Sequence, residues 1–496
     1  MSSSSVAYEE QDAAASVSVA DAAAAASAAA LPWARLLPTE RAELLEAVAD
    51  AIDARTDELV AIAEEETHLA TGRLQGEVAR TTSQLRLFGQ VLRDGAYLEA
   101  TVDHADSSMT PPRPDLRRQL VPIGPVAVFT ASNFPFAFSV AGGDTASALA
   151  AGCPVVVKAH SGHLRLSRRT ARVVQEALRD AGAPEGTLTH VEGRDAGKEL
   201  VTHPAIRAVG FTGSLSGGRA LFDLAVSRED PIPFYGELSA LNPVVVTPGA
   251  VSARAQSIAE GLTQSFTLGV GQFCTKPGVV FVPADGDLTD ELRETVAGTQ
   301  AAPMLMERMV DSFQEGVEAL SAVDGVEIVA KSPDEPAAGC SAPLVLATDV
   351  GMIKQRPDLL LEEKFGPAAV LVRYRSREEL LEGLEQMPGS LTASLHAEQS
   401  ELNDLSDVLE RLEALAGRLI FDGWPTGVAV TWAMQHGGPW PSTTNALHTS
   451  VGTTASRRFM RPVSWQNAHP DVLPPALRED NPLGVPRRVD GELQLP

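Results

Sequence analysis

The sequence predicts an α/β protein with two parallel sheets, and three observations carry that prediction. Short apolar runs recur along the chain, among them VAVF, VVVK and AAVLVRY. Stretches with helical spacing separate them, the pattern of βαβ units. The runs are apolar throughout rather than alternating, which suits strands covered by helices on both faces. At 496 residues the chain has room for more than one domain.

Taken in order, MSSSSVAYEEQD (residues 1–12) has no basic residue, so it reads as a disordered tail and not a secretory signal. The alanine-rich SVSVADAAAAASAAAL predicts a helix, too weakly hydrophobic to span a bilayer. PTERAELLEAVADAIDARTDELVAIAEEE has apolar residues at three- and four-residue spacing, with Pro38 and Thr39 marking the start. A second helix through EVARTTSQLRLFGQVLRDG stops at Gly95, and SSMTPPRPDLRR breaks into a loop or arm. Strands are expected at VAVFT (126–130), PVVVKA (154–159), AIRAVGF and PVVVTPG, with helices between them. After residue 276 the pattern repeats more loosely through VVFVPA, VEIVAK, AAVLVRY and GRLIFDG. The division between the two α/β parts falls near residue 238, and the proline-rich end reads as an extended wrap.

Forty basic against sixty-five acidic residues give a net charge of −25. That excludes the basic footprint of nucleic-acid binding and argues against an anionic membrane surface. Three cysteines, at 153, 274 and 340, lie far apart with no CxxC or HExxH, so no structural metal site is expected. So few cysteines suit a reducing cytoplasm.

Cys274 stands in GVGQFCTKPG, among glycines and not on an apolar face, so the backbone presents it. Lys158, one of six lysines, closes an apolar strand and could reach a ribose or phosphate, or be an ordinary strand-end charge. GFTGSLSGG (210–218) is a glycine turn into a helix; its N–H groups and the Ser214 hydroxyl suit a pyrophosphate, though such turns are common. Glu237, in GEL, is either a general base with a raised pKa or a capping or salt-bridged residue. Asn133, in SNFP, is either a helix N-cap or an oxyanion donor.

SNFP, VVVK, GFTGS, GEL, GQFCT and EEKFGP stand in this order across roughly residues 30 to 470. In them the sequence resembles the aldehyde dehydrogenase superfamily. The resemblance implies a Rossmann-like cofactor domain over residues 13–237 and an α/β catalytic domain over 238–440. A small oligomerisation element would come from an arm near 100–122 and a tail over 441–496, giving a homodimer or homotetramer. It implies that Cys274 attacks an aldehyde to form a thiohemiacetal, with Asn133 and the Cys274 N–H holding the oxyanion. Glu237 would then activate water to hydrolyse the thioester; coenzyme-A-acylating relatives lack this glutamate. Lys158 and Ser214 resemble the ribose and pyrophosphate contacts, Glu363 the nicotinamide-ribose contact, and Phe365 a side chain packed near the ring. Ser161 stands where many NAD-preferring members have a glutamate, and Arg194 matches an arginine that contacts the 2′-phosphate in NADP-favouring relatives. NADP is the cofactor implied, with NAD as the alternative.

PPRPDLRRQLVPIGPVAVF, SNFPFAFSVAGGDTASALAAGCPVVVKAH and FDGWPTGVAVTWAMQHGGPWPSTT look like the 2-oxoglutarate semialdehyde (2,5-dioxopentanoate) dehydrogenases. An NADP-dependent long-chain fatty aldehyde dehydrogenase shares the HGGP feature. His436 there is either a second base or thiolate partner, or a histidine shaping a glycine turn. A substrate carboxylate needs a cation: Arg80 and Gln84, four apart on a helix, could share a face toward the tunnel, although interdomain pairing is the commoner fate of such an arginine. Phe134, Ala137, Phe138 and Ala141 follow Asn133 at helical spacing and line either tunnel or core. GEL continues as SAL where many members have GGK. Rival readings are a broad or long-chain aldehyde dehydrogenase, a cofactor-free cysteine hydrolase using Cys274 and His436, and an inactive scaffold.

Overall fold

The computed structural model describes residues 17–496, so the tail expected over residues 1–12 lies outside the described residues. The alanine-rich stretch forms the helix Val19–Arg35, capped by the Ser18 hydroxyl accepting the Asp21 N–H at 3.1 Å. Its buried face is Ala22, Ala23, Ala26 and Ala29, small enough to lie close on the layer beneath, with Trp33 buried at its end. Helices Pro38–Asp53, Thr56–Thr67 and Thr71–Asp94 follow. The first starts at Pro38 and not after it: the Glu40 carboxylate accepts the Leu37 N–H at 2.6 Å, and Pro38 has no N–H to satisfy. The last ends where the sequence predicts, at Gly95 with φ +78°; a Cβ there would meet Val485 Cγ1 at 2.3 Å.

Five parallel strands form the first large sheet, in the order Leu188–Val191, Val155–Lys158, Val126–Phe129, Ala208–Thr212, Phe234–Glu237. Their apolar runs are explained by burial on both faces. Val126, Val128, Val155 and Val157 enter one core cluster, while Ala127, Val156 and Val209 enter another. The second sheet runs Glu327–Lys331, Leu344–Asp349, Ala368–Tyr374, Val279–Pro283, Val244–Val246, Ser390–His396, Ala416–Phe421, parallel except for the first pair. It too is double-faced, with Phe281 and Val370 on one side and Val280 and Leu371 on the other.

The proline-rich arm and the chain end join in a third sheet. Leu116–Pro122 pairs antiparallel with Met460–Gln466 and with Thr101–Asp103, which pairs parallel with Arg487–Val489. Among the described residues no helix is long and apolar enough to cross a membrane. The first sheet ends at Glu237 and the second begins at Val244, and the segments just beyond Phe129, Glu237 and Phe266 converge on one site.

Candidate active site

Cys274 follows a left-handed turn, a conformation that glycine favours and that Val270 adopts as well. Gly269, Val270 and Gly271 all have left-handed φ, at +56°, +58° and +67°. A Cβ on Gly271 would meet the Gly366 carbonyl oxygen at 2.2 Å. Past the turn, two buried polar side chains pin the loop. The Asn242 amide donates to the Cys274 and Lys276 carbonyls at 2.8 and 3.0 Å, and its own oxygen accepts from the Thr392 N–H at 3.1 Å. Lys276 Nζ donates to the Lys364 and Ala368 carbonyls at 2.9 and 2.8 Å, latching the cysteine loop to the segment that carries Glu363 and Phe365.

The thiol faces an acid–base pair. Cys274 Sγ lies 3.7 Å from His436 Nε2, and the same nitrogen lies 3.1 Å from Glu237 Oε1. Ser450 donates to Glu237 Oε2 at 2.8 Å, and its backbone N–H donates to the His436 carbonyl at 2.9 Å. His436 Nδ1 is buried without a partner among the described residues. One ring nitrogen therefore serves both neighbours. A cysteine-hydrolase triad needs the acid on the opposite nitrogen from the thiol. The ligand atoms of Glu237, Cys274 and His436 also lie within 4.8 Å of one another, near enough to share a metal ion, but proton sharing accounts for the same proximity.

Burial pushes the Glu237 carboxyl up, but the charge of His436 and hydrogen bonds from His436, Ser450 and Cys274 outweigh it and hold it down, to about 2. This corrects the expected raised value: the apolar setting is real, but the polar neighbours inside it win. The Cys274 thiol goes the other way, well above its usual range, driven by burial, then by the Glu237 charge and hydrogen bond. Glu363 is pushed up to about 7 by burial, against hydrogen bonds from the Ser239 hydroxyl and Ala240 N–H and the charge of Lys276.

Asn133 caps no helix. Residues 134–142 form successive turns, and the helix begins only at Gly143. The Asn133 amide instead donates to the Gln272 carbonyl at 2.9 Å, leaving its second N–H free beside the cysteine loop. Among the described residues nothing accepts the Cys274 N–H, so two donors remain for an oxyanion. The turns also split the residues expected at helical spacing: Phe134 and Phe138 stay partly open, while Ala137 and Ala141 are core.

Lys158, Arg194 and Ser214 lie at the carboxyl ends of parallel strands of the first sheet or just beyond them. Lys158 is half-buried, its ammonium has no acceptor among the described residues, and burial pulls its pKa down. Ser161 and Arg194 are exposed, Arg194 opening the helix Arg194–Thr202. Ser214 caps the helix Leu215–Val226, its oxygen accepting the Gly217 N–H at 3.3 Å while its own proton stays free to donate. An unpaired lysine beside open helix N-termini fits an anionic dinucleotide.

Comparison with known proteins agrees with this geometry. A family model described as the aldehyde dehydrogenase family matches residues 3–460. The chain belongs to the aldehyde dehydrogenase family. It is 47% identical over 462 residues to α-ketoglutaric semialdehyde dehydrogenase 2 of Azospirillum brasilense, covering 92% of this chain and 87% of that protein. It is 43% identical over 458 residues to α-ketoglutaric semialdehyde dehydrogenase of Acinetobacter baylyi, with the same coverage of 92% and 87%. Among solved structures, an NADP-dependent glyceraldehyde-3-phosphate dehydrogenase from Bacillus halodurans, complexed with NADP, superposes with a TM-score of 0.76 at 22% identity, covering 91% of each chain. Aldehyde dehydrogenase C from Pseudomonas syringae, complexed with NAD+ and octanal, gives 0.76 at 22% identity over 92% of this chain and 91% of that one. Those two likenesses establish the fold of this family member.

The structure brings Cys274, Glu237, Asn133 and His436 together, and sequence reasoning missed what holds them: Ser450, Asn242, Lys276 and Arg73. Arg73 donates to the Asn133 carbonyl at 2.6 Å and stacks over Phe134 and Phe273 at 5.3 and 5.1 Å. Ser450 lies 213 positions from Glu237, and no local signal marks it.

Proposed function

We propose that the chain oxidises 2-oxoglutarate semialdehyde to 2-oxoglutarate on Cys274, with NADP as the preferred acceptor. The observation that carries the chemistry is one histidine nitrogen at 3.7 Å from the thiol and 3.1 Å from a buried carboxylate. The substrate rests on the two semialdehyde dehydrogenases at 47% and 43% identity. His436 and Glu237 act as the proton store. The pair takes the Cys274 proton as sulfur attacks the aldehyde carbon, and the new oxyanion accepts from the Asn133 amide and the Cys274 N–H. A nicotinamide dinucleotide, when bound, supplies the hydride acceptor. Lys158, Ser214 and Glu363 would hold it, with Phe365 near the ring. Glu237, ionised, then draws a proton from the water that attacks the Cys274 thioester, and the acid leaves.

NADP is favoured by the exposed Ser161 hydroxyl and the exposed Arg194 guanidinium, both able to donate to a 2′-phosphate. The sheet joining the arm to the chain end is the surface proposed for subunit contacts, in a homodimer or homotetramer. The test is absorbance at 340 nm with 2,5-dioxopentanoate, run with NADP and with NAD. Glutarate semialdehyde and a long-chain aldehyde run beside it, with Cys274→Ala as blank. Preference for the dioxo acid with NADP is expected. Preference for the long-chain aldehyde overturns the substrate, and no cofactor reduction with any aldehyde overturns the oxidation.

A further inference from the structure

The helix Thr71–Asp94 turns one polar face toward the segment after Asn133, because Arg73, Glu77, Arg80 and Gln84 follow at spacings of one turn each. Most of that face is occupied. Arg73 donates to the Asn133 carbonyl at 2.6 Å. Buried Glu77 accepts the Phe136 and Ala137 N–H groups at 2.8 and 2.9 Å. Arg80 differs. Its guanidinium lies 5.3 Å from the centre of the Phe138 ring, and among the described residues no oxygen lies within hydrogen-bonding reach of it. Its electrostatic neighbours are Glu77, Cys274 and Glu237.

Among the described residues the other cations near the thiol donate to backbone carbonyls, although Arg418 Nε has no partner. Arg418, whose charge also reaches Cys274, donates to the Gly427 and Pro425 carbonyls at 2.8 and 2.9 Å. Lys276 is held by two carbonyls of its own. A guanidinium carries five N–H donors in a planar fork, and a half-buried one without a partner is costly unless a ligand completes it. Phe138 places that fork beside the chemistry, its ring centre 6.5 Å from that of His436.

We propose that Arg80 is the anion subsite of the active site, the residue that binds the carboxylate of the aldehyde acid and so sets specificity. This rests on the semialdehyde reading above. With the aldehyde carbon at Sγ and its oxygen on Asn133, the carboxylate sits at the far end of a five-carbon chain, and among the described residues Arg80 is the cation that makes no hydrogen bond there. A bidentate pair there would also restrain the chain so that only the aldehyde end meets sulfur.

The test compares kcat/KM for 2,5-dioxopentanoate and for glutarate semialdehyde, which lacks only the 2-oxo group, with kcat/KM for pentanal, which lacks the carboxylate too, in wild type, Arg80→Met and Arg80→Lys. The wild type should favour the acid strongly. In Arg80→Met the ratio should fall about 30-fold, or about 2 kcal/mol at 1.4 kcal/mol per tenfold, with KM for the acid bearing most of the change. Arg80→Lys should restore part of it. Circular dichroism and the thermal midpoint check the fold, and Arg80→Gln, which keeps donors without charge, is read the same way should the methionine variant not fold. A ratio unchanged in the variants overturns Arg80 as the subsite and leaves the semialdehyde reading standing. A wild type indifferent to the carboxylate overturns both.

Discussion

The two faces of the active site are built on opposite plans. Around Cys274 and Glu237 the loop and the carboxylate are held from within the chain: Asn242 and Lys276 hold the cysteine loop, and His436 and Ser450 hold the carboxylate. At the strand ends of the first sheet, Lys158, Ser161 and Arg194 stand open or half-open, without acidic partners among the described residues. Groups that must be correctly placed before the reaction are locked by contacts within the chain. Groups whose partner is a ligand are left for that ligand to satisfy. Substitutions on the first face should therefore cost kcat and stability, and substitutions on the second should cost cofactor affinity.

Four variants can break that comparison, in falling order of effect. Cys274→Ala should lose at least about 10,000-fold in aldehyde oxidation yet still bind dinucleotide, followed by nucleotide fluorescence. Loss of dinucleotide binding as well would mean that the faces are not separable. Glu237→Gln should slow steady-state turnover about 100- to 10,000-fold. The same variant should speed alkylation of Cys274 at pH 8. Removing a carboxylate that raises the thiol pKa increases the thiolate present, about tenfold for every pH unit by which that pKa falls. In wild type the alkylation rate should keep rising past pH 9 without a plateau; a plateau near neutrality would contradict the raised thiol. Asn242→Ala strips buried hydrogen bonds from two carbonyls and should cost about 2–4 kcal/mol in denaturant unfolding, with kcat falling in parallel. Ser161→Glu should move the NADP-to-NAD preference about tenfold toward NAD with kcat nearly constant, by repelling a 2′-phosphate.

The same contrast explains what the sequence disclosed. Strands buried on both faces announce themselves as apolar runs, so VAVF and VVVK were legible. Ser390–His396 is equally buried but carries Ser390, Thr392, Ser394 and His396, some of which serve Asn242, and its hydroxyls hid it from a search for apolar runs. The candidate reacting groups stood out because short motifs surround them. Their supports were not, since Ser450, Asn242 and Thr392 gain their partners only through long-range closure of the chain. The choice between a raised-pKa and a salt-bridged Glu237 was not legible for the same reason: the apolar neighbours are local in sequence, while His436 lies 199 positions away.

The most direct test traps the intermediate. Glu237→Gln is mixed with NADP and 2,5-dioxopentanoate, and the protein is digested and weighed by mass spectrometry while absorbance at 340 nm is followed. The account predicts a burst of about one equivalent of NADPH per site and a 2-oxoglutaryl group on the Cys274 peptide. A burst with the acyl group on Cys153 or Cys340, or steady turnover with no acyl-enzyme at all, would contradict it.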